Sequence, residues 1–149
     1  MDWQARVTVA CVIENDGKFL MVEEIRDGRR VFNQPAGHLE AGESLIEAAL
    51  RETLEETQWR VELQGVVGLG LYTPAGKNMT YHRTTFFGRP QAFCPESPLD
   101  ADIDTVHWLT LEQIRERRPQ LRSPMVLDCV ERYFEGQRYP LSMIYGSPR

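Results

Sequence analysis

Hydrophobic residues in the first part of the chain form runs of strand length that are separated by turn signals. The run at 7–13 is continuous and rich in β-branched residues, which predicts a strand buried on both faces. A turn signal at 15–17 precedes a second apolar run at 18–25, so the two runs predict a β-hairpin. After another turn at 27–28, a short extended piece at 31–32 ends before Pro35.

The pattern changes from strand to helix spacing after residue 43. Ser44 is a favourable N-cap and Glu47 completes a capping box, which predicts a helix over 45–57. Thr53 lies in its apolar stripe, so we expect the Thr53 hydroxyl to bond to a carbonyl one turn back. The stripe that we expect to face the core consists of Ile46, Ala49, Leu50, Thr53, Leu54 and Thr57.

The second half alternates extended and helical segments. A long strand at 61–72 is interrupted by three glycines, which predicts bulges, and further strands are expected at 79–87 and 105–109. The stretch 90–104 is expected to be irregular. Helices are expected at 111–117 and from Pro124 to Gly136, and the first half of the following tail should pack down. This order predicts an α/β fold in one domain over residues 1–149, with helices on both faces of a mixed sheet.

Composition and charge narrow the function classes. The 149 residues are 42% hydrophobic and 26% charged, as in ordinary globular proteins, and the net charge is −5. An acidic chain argues against nucleic acid or anionic membranes as partners, but a small anionic substrate fits because bound metal reverses the local sign. The sequence shows no membrane-length apolar run and no signal peptide, and its three cysteines do not predict disulfides. We therefore expect a cytoplasmic protein, with Cys11 and Cys129 in the core.

One face of the predicted helix at 45–57 is strongly acidic. Glu52, Glu55 and Glu56 are neighbours at about 100° per residue, so their carboxylates repel one another. A hard divalent cation, which prefers oxygen ligands, would resolve this repulsion. The alternative is an ordinary solvated helix face, which is the usual reading of glutamates at this spacing.

The spacing of this acidic segment resembles the Nudix box, the signature of a family of phosphoanhydride hydrolases. The matching positions are Gly37, Glu43, Arg51, Glu52, Glu55, Glu56 and Trp59. Thr53 departs from the box where it has an apolar residue, and Gln58 departs where it has glycine. Without glycine's freedom at positive φ, the helix must end with a strained residue or with a different cap. Segments at 7–12, 33–40, 121–124 and 136–141 resemble the NudJ-type phosphatases of that family.

The resemblance implies both a fold and a chemistry. The fold would be an α/β/α sandwich around a central mixed sheet. The chemistry would be hydrolysis dependent on Mg²⁺, with Mn²⁺ as a substitute, in which water attacks a metal-bound phosphate. By the same resemblance Glu52, Glu55 and Glu56 hold the metal with the carbonyl of Gly37, and Arg51 pairs with Glu43 to lock the loop to the helix.

The residue that activates the water is left open by the sequence. Glu52 or Glu55 could orient the water through the metal. Other Nudix members use an acidic residue from a later strand or loop. The candidates of this kind are Glu96, Asp100, Asp102 and Asp104, although acids in such loops are more often turn residues.

Candidate substrate contacts flank the box. Phe32 and Tyr81 could stack on a ring, and Arg83 or Arg122 could meet a phosphate. Each of these residues also has a purely structural reading. The candidates for the polar edge of the substrate are Asn33, Gln34 and His38. Ala48 and Ala49 flank the acidic face, where small side chains would leave room for metal and phosphate.

The resemblance suggests nucleoside di- and triphosphates and the pyrophosphates of hydroxymethylpyrimidine or thiamine as substrates. One alternative is a Nudix hydrolase of ADP-ribose or dinucleoside polyphosphates. Another is a non-catalytic nucleotide sensor, which should have lost the acids that Glu52, Glu55 and Glu56 retain. The expected partner is a small phosphoanhydride molecule, and both a monomer and a homodimer remain open.

Overall fold

A computed structural model describes residues 2–146 of the chain. The strands are β1 (Gln4–Asn15), β2 (Lys18–Arg26), β3 (Arg29–Asn33), β4 (Ala36–His38), β5 (Trp59–Tyr72), β6 (Met79–Phe93), β7 (Ile103–Thr110) and β8 (Tyr139–Pro140). The helices are α1 (Leu45–Thr57), α2 (Leu111–Glu116) and α3 (Pro124–Phe134), with short 3₁₀ turns at Arg118–Gln120 and Leu141–Met143. None of the helices within residues 2–146 combines the length and apolar composition that spanning a bilayer requires.

The strands form a mixed sheet in the order β3-β2-β1-β6-β5-β8, with β4 paired to β1 and β7 paired to β2. β1 and β6 run parallel, from Gln4 opposite Met79 to Ile13 opposite Gly88, whereas the other strand pairs are antiparallel. A parallel pair needs a long crossover, and the segment that contains α1 is part of it.

Helices cover both faces of this sheet. Side chains alternate along β1, so Val9 and Cys11 pack toward Ala49 of α1. Val12 points the other way and joins a core with residues of α2 and α3, including Ile114, Val126, Cys129 and Val130. The predicted α/β/α sandwich with a central mixed sheet is therefore confirmed, and Cys11 and Cys129 are buried in it.

Helix α1 has the predicted bounds because its local signals are strong. The Ser44 side chain accepts from the Glu47 N–H and the Glu47 carboxylate accepts from the Ser44 N–H, which forms the complete capping box. Thr53 Oγ1 donates to the Ala49 carbonyl at 2.8 Å, as expected. The predicted apolar stripe is partly wrong, because Leu50 is 37% exposed and Glu56 is buried in its place.

Two further expectations need correction, and a third is confirmed. Ala48 and Ala49 lie in the core on the α1 side of the sheet and do not line a ligand site. β6 continues through Pro90 to Phe93, because beyond Gly88 it has lost β1 as a neighbour and tolerates proline opposite a bulge in β5. The tail packs down as expected up to Ile144, while residues 147–149 lie outside the described residues.

Candidate active site

A cavity of about 530 Å³ opens beside α1, between β4, β6, the loop before β7 and the start of α3. Its size lies within the range of small-molecule sites. Acidic and basic side chains are both abundant in its wall. The acidic ones are Glu24, Glu40, Glu52, Glu56, Asp100 and Asp102, and the basic ones are Arg26, His38, Arg51, Arg83 and Arg122.

α1 places two of the acids in this wall, one turn apart. Glu56 is only 8% exposed and accepts a hydrogen bond from the Ala36 N–H at 2.9 Å. The Glu52 carboxylate lies over Gly37, where an added β-carbon would collide with the carboxyl carbon. A side chain at residue 37 would therefore displace the Glu52 carboxylate from its present position.

Arg51 ties the loop before α1 to the helix. Its guanidinium donates to Glu43 Oε1 at 3.0 Å and to the His38 carbonyl at 3.0 Å, so the ion pair expected with Glu43 is present. It also contacts Glu52 at 2.9 Å and Glu55 at 3.3 Å. Glu55 does not line the cavity, and its side chain is 47% exposed.

The surroundings of Glu52 and Glu56 disfavour the charged form of their carboxyl groups. Burial raises the pKa of Glu56 to about 8, and the charges of Glu52, Glu24 and Asp100 add to the rise while the Ala36 N–H opposes it. Burial likewise raises the pKa of Glu52, although hydrogen bonding to Arg51 opposes that shift. The folded protein therefore disfavours the charged form of these acids unless a positive group approaches them.

The donor set suits a hard divalent cation. Glu52, Glu56 and Gly37 line the same cavity and offer oxygen atoms, which Mg²⁺ prefers. Within the described part of the chain, no three acidic, histidine or cysteine side chains converge as a preformed metal centre. Glu52 and Glu55 both contact the Arg51 guanidinium in this structure.

Arg83 supplies a buried positive charge that has no salt-bridge partner among the residues that the structure describes. It is 8% exposed, and neither its Nε nor its Nη2 finds a hydrogen-bond acceptor among residues 2–146. Burial consequently lowers the pKa of its guanidinium. In contrast, Arg122 and Arg26 both contact the Glu24 carboxylate, at 3.3 Å and 2.7 Å. An anion in the cavity would satisfy the free donors of Arg83.

The structure brings most of the predicted substrate contacts to the cavity. Tyr81, Arg83, Arg122, Asn33 and His38 line it, with the His38 and Tyr81 rings 6.0 Å apart.

Two predicted contacts, Phe32 and Gln34, do not line this cavity. The Phe32 side chain lies in the core, with its ring 5.7 Å from that of His107 in β7, because it occupies the opposite face of β3 from Asn33. Gln34 is fully buried and directs its amide to the Val126 carbonyl at 3.5 Å and to Cys129.

The loop acids separate into two groups. Asp100 and Asp102 line the cavity, whereas Asp104 pairs with Arg30 at 3.3 Å and Glu96 lies outside the cavity wall. Sequence reasoning missed several further lining residues: Thr8, Glu24, Arg26, Tyr72, Ser123 and Met125. For Glu24 a signal existed, since two glutamates interrupt an apolar strand at 23–24, where β2 is bulged against β7.

Comparison with known proteins agrees with this geometry. The sequence model of the NUDIX domain matches residues 4–129. The chain belongs to the Nudix family. The phosphatase NudJ of Escherichia coli K12 is 43% identical over 142 residues, which are 95% of this chain and 92% of that protein. A solved Nudix hydrolase from Nitrosomonas europaea is also 43% identical, with a TM-score of 0.92 over 95% of this chain and 97% of that chain.

More distant structures share only the Nudix fold. The MutT protein of Methanosarcina mazei Go1 has a TM-score of 0.72 at 23% identity, over 91% of this chain and 96% of that chain. Membership of the Nudix family, with a NudJ phosphatase as a relative, makes this chain a hydrolase of phosphoanhydride bonds. Nudix hydrolases generally use divalent metals.

Both departures from the Nudix box are accommodated locally. Thr53 is buried and its hydroxyl is satisfied within α1. Gln58 adopts φ 64° and ψ 14°, the left-handed conformation usual for glycine, and its N–H donates to the Leu54 carbonyl at 2.9 Å. Helix α1 therefore ends in the left-handed conformation that glycine usually adopts, and Gln58 is strained in that conformation.

Proposed function

We propose that this Nudix hydrolase is a Mg²⁺-dependent pyrophosphohydrolase of nucleoside di- and triphosphates and of hydroxymethylpyrimidine or thiamine pyrophosphates. The observation that carries the proposal is the presence in one cavity wall of Glu52, Glu56 and Arg83, whose Nε and Nη2 have no acceptor within residues 2–146. Carboxylates suit a cation and a free guanidinium suits a phosphate, so the cavity matches a metal–phosphoanhydride substrate.

In this proposal Glu52 and Glu56, with the Gly37 carbonyl, would hold Mg²⁺ or its substitute Mn²⁺. When bound, the metal would neutralise phosphate charge and acidify a water molecule. Arg83 binds the oxygens of a phosphate. The ion pair of Arg51 with Glu43 holds the loop that precedes α1 against the helix. The expected role of Glu55 as a metal ligand stays a prediction, because Glu55 faces Arg51 outside the cavity.

The organic part of the substrate would meet the aromatic side of the cavity. The His38 and Tyr81 rings are adjacent there, and Arg122 stands beside Glu24 at the start of α3. A ring held between aromatic groups with polar edges nearby fits a nucleobase or a pyrimidine. The E. coli relative is a phosphatase, which supports release of phosphate from a diphosphate.

The remaining expectations belong to the same proposal. We infer a cytoplasmic protein of one domain over residues 1–149 that acts as a monomer or homodimer, without stable nucleic-acid or membrane partners. An ADP-ribose or dinucleoside polyphosphate hydrolase is the alternative enzyme. A non-catalytic sensor is disfavoured because Glu52 and Glu56 are both present and line the cavity.

Chromatographic analysis of the products from a substrate panel tests the proposal, because cleavage of ADP-ribose gives AMP and ribose 5-phosphate and no free phosphate. Metal-stripped protein is supplied with MgCl₂ and with nucleoside di- and triphosphates, thiamine-type pyrophosphates, ADP-ribose and a dinucleoside polyphosphate. We expect turnover of the first two groups only when Mg²⁺ is present. Cleavage of ADP-ribose alone would overturn the substrate class, and turnover without divalent metal would overturn the metal site.

A further inference from the structure

Gln58, which replaces the glycine of the Nudix box at the end of α1, also forms hydrogen bonds to the loop between β6 and β7. We propose that Gln58 is a positioning residue that holds this loop so that Asp100 stands beside the carboxylates of Glu52 and Glu56. The effect of Gln58 on catalysis rests on the function proposed above, whereas the hydrogen bonds between Gln58 and the loop are a property of the fold.

Gln58 contacts the loop through both its side chain and its backbone. Its Nε2 donates to the Ser97 carbonyl at 2.7 Å and to the Pro95 carbonyl at 3.2 Å. Its own carbonyl accepts from the Cys94 N–H at 2.8 Å. A glycine could make only the last of these bonds, since the first two need the side-chain amide.

The same end of α1 holds the acidic part of the loop. The Asp100 N–H donates to the Glu55 carbonyl at 2.8 Å, which satisfies one of the free carbonyls at the helix end. Asp100 Oδ1 accepts from the Asp102 N–H at 3.2 Å, and the Asp100 carbonyl accepts from the Ile103 N–H at 3.0 Å. The helix that carries the cavity glutamates therefore also fixes the segment that carries the loop acids.

Gln58 has a backbone conformation that favours glycine, yet it carries a side chain that bonds to the loop. At φ 64° a residue with a β-carbon is strained, and glycine is the least strained choice. The side chain adds two bonds to loop carbonyls between the buried Cys94 and the buried Ile103. Pro95, Glu96 and Pro98 are exposed, so packing does little to hold this part of the loop.

Gln58 affects catalysis by positioning Asp100 in the cavity. It lines the cavity with Glu52 and Glu56, where an oxygen acceptor can orient an attacking water. A small displacement of such a group lowers the rate of the chemical step more than it weakens substrate binding. We therefore expect loss of the Gln58 amide to lower kcat about tenfold and to change KM by less than about twofold.

The test uses matched variants of the full chain. Gln58→Met keeps the length of the side chain and the strain at φ 64° but removes the donor. Gln58→Gly removes both the donor and the strain, and it keeps the test informative if the Met variant folds poorly. Glu96→Gln, in the same loop but outside the cavity, is the control and should leave kcat unchanged.

A double-mutant cycle with Asp100→Asn separates positioning from general stability. We expect Gln58→Met to lower kcat in the wild-type background but not further in Asp100→Asn, because Gln58 acts through that carboxylate. Equal losses in both backgrounds, or equal losses in kcat and in 1/KM, would overturn the proposal.

Hydrogen–deuterium exchange at the backbone amides of residues 96–103, apart from Pro98, supplies a readout that does not depend on activity. We expect faster exchange in Gln58→Met than in Glu96→Gln, and unchanged protection would overturn the proposal. If wild-type protein cleaves nothing in the substrate panel, the proposed function fails while exchange alone still decides whether Gln58 holds the loop.

Discussion

The buried carboxylate of Glu56 predicts opposite effects of one substitution on stability and activity. Glu56→Gln keeps an oxygen that accepts from the Ala36 N–H but removes the ionisable group. Because the folded protein disfavours the charged form of Glu56, the variant should make the metal-free protein more stable at neutral pH.

The magnitude follows from the pKa shift. The pKa of Glu56 rises from 4.5 to about 8, so the folded state binds a proton that the unfolded state releases between these values. The stabilising effect of this proton is complete below pH 4.5 and is lost as pH rises toward about 8. Since one pKa unit corresponds to about 1.4 kcal/mol, wild-type protein should lose about 3 kcal/mol from this group by pH 7.

Urea unfolding in the presence of EDTA measures this difference. Wild type, Glu56→Gln and the control Glu112→Gln, which changes an exposed acid of α2, are compared from pH 5 to pH 8. We expect Glu56→Gln to gain stability over wild type steadily with rising pH, while the control does not. A Glu56→Gln protein that is less stable at pH 8, or whose difference from wild type does not change with pH, would refute the reasoning.

Three other substitutions test neighbouring parts of the site. Gly37→Ala should lower activity more than thermal stability, because the added β-carbon displaces the Glu52 carboxylate at the end of a flexible side chain; unchanged turnover would contradict this contact. Arg83→Met should lower kcat/KM at least about tenfold without destabilising the protein, because a buried unpaired charge is removed, and exposed Arg89→Met of the same strand should change neither. Gln58→Gly should be neutral or mildly stabilising in urea unfolding, since relieved strain offsets two lost hydrogen bonds; a clear loss of stability would show that the bonds dominate.

Helix α1 and its acidic face could be predicted because they depend on residues that are close together in the sequence. The bounds of α1 follow from the capping box at Ser44 and from the end of helical spacing at Thr57. At Gln58, where the Nudix box has glycine, the sequence left open a strained residue or a different cap, and the structure shows the strained left-handed conformation. The acidic cluster of Glu52 and Glu56 was predictable because residues one turn apart share a helix face.

Features that depend on strand pairing could not be read from the sequence. Whether Phe32 or Asn33 faces the cavity depends on which face of β3 packs on the core, and a shift by one residue exchanges the two. Glu24 reaches the cavity at the bulge of β2 against β7. Asp100 reaches it because its backbone is held by Glu55, a contact between segments far apart in the chain.

The central claim is that the α1 carboxylates hold a cation on which hydrolysis depends, and one measurement tests it most directly. Phosphate release by metal-stripped wild type and Glu56→Gln is followed as MgCl₂ is added, with folding checked by circular dichroism. The account predicts saturable recovery of wild-type turnover and none in a folded Glu56→Gln protein. Full turnover by that variant, or turnover by wild type without added metal, would contradict it.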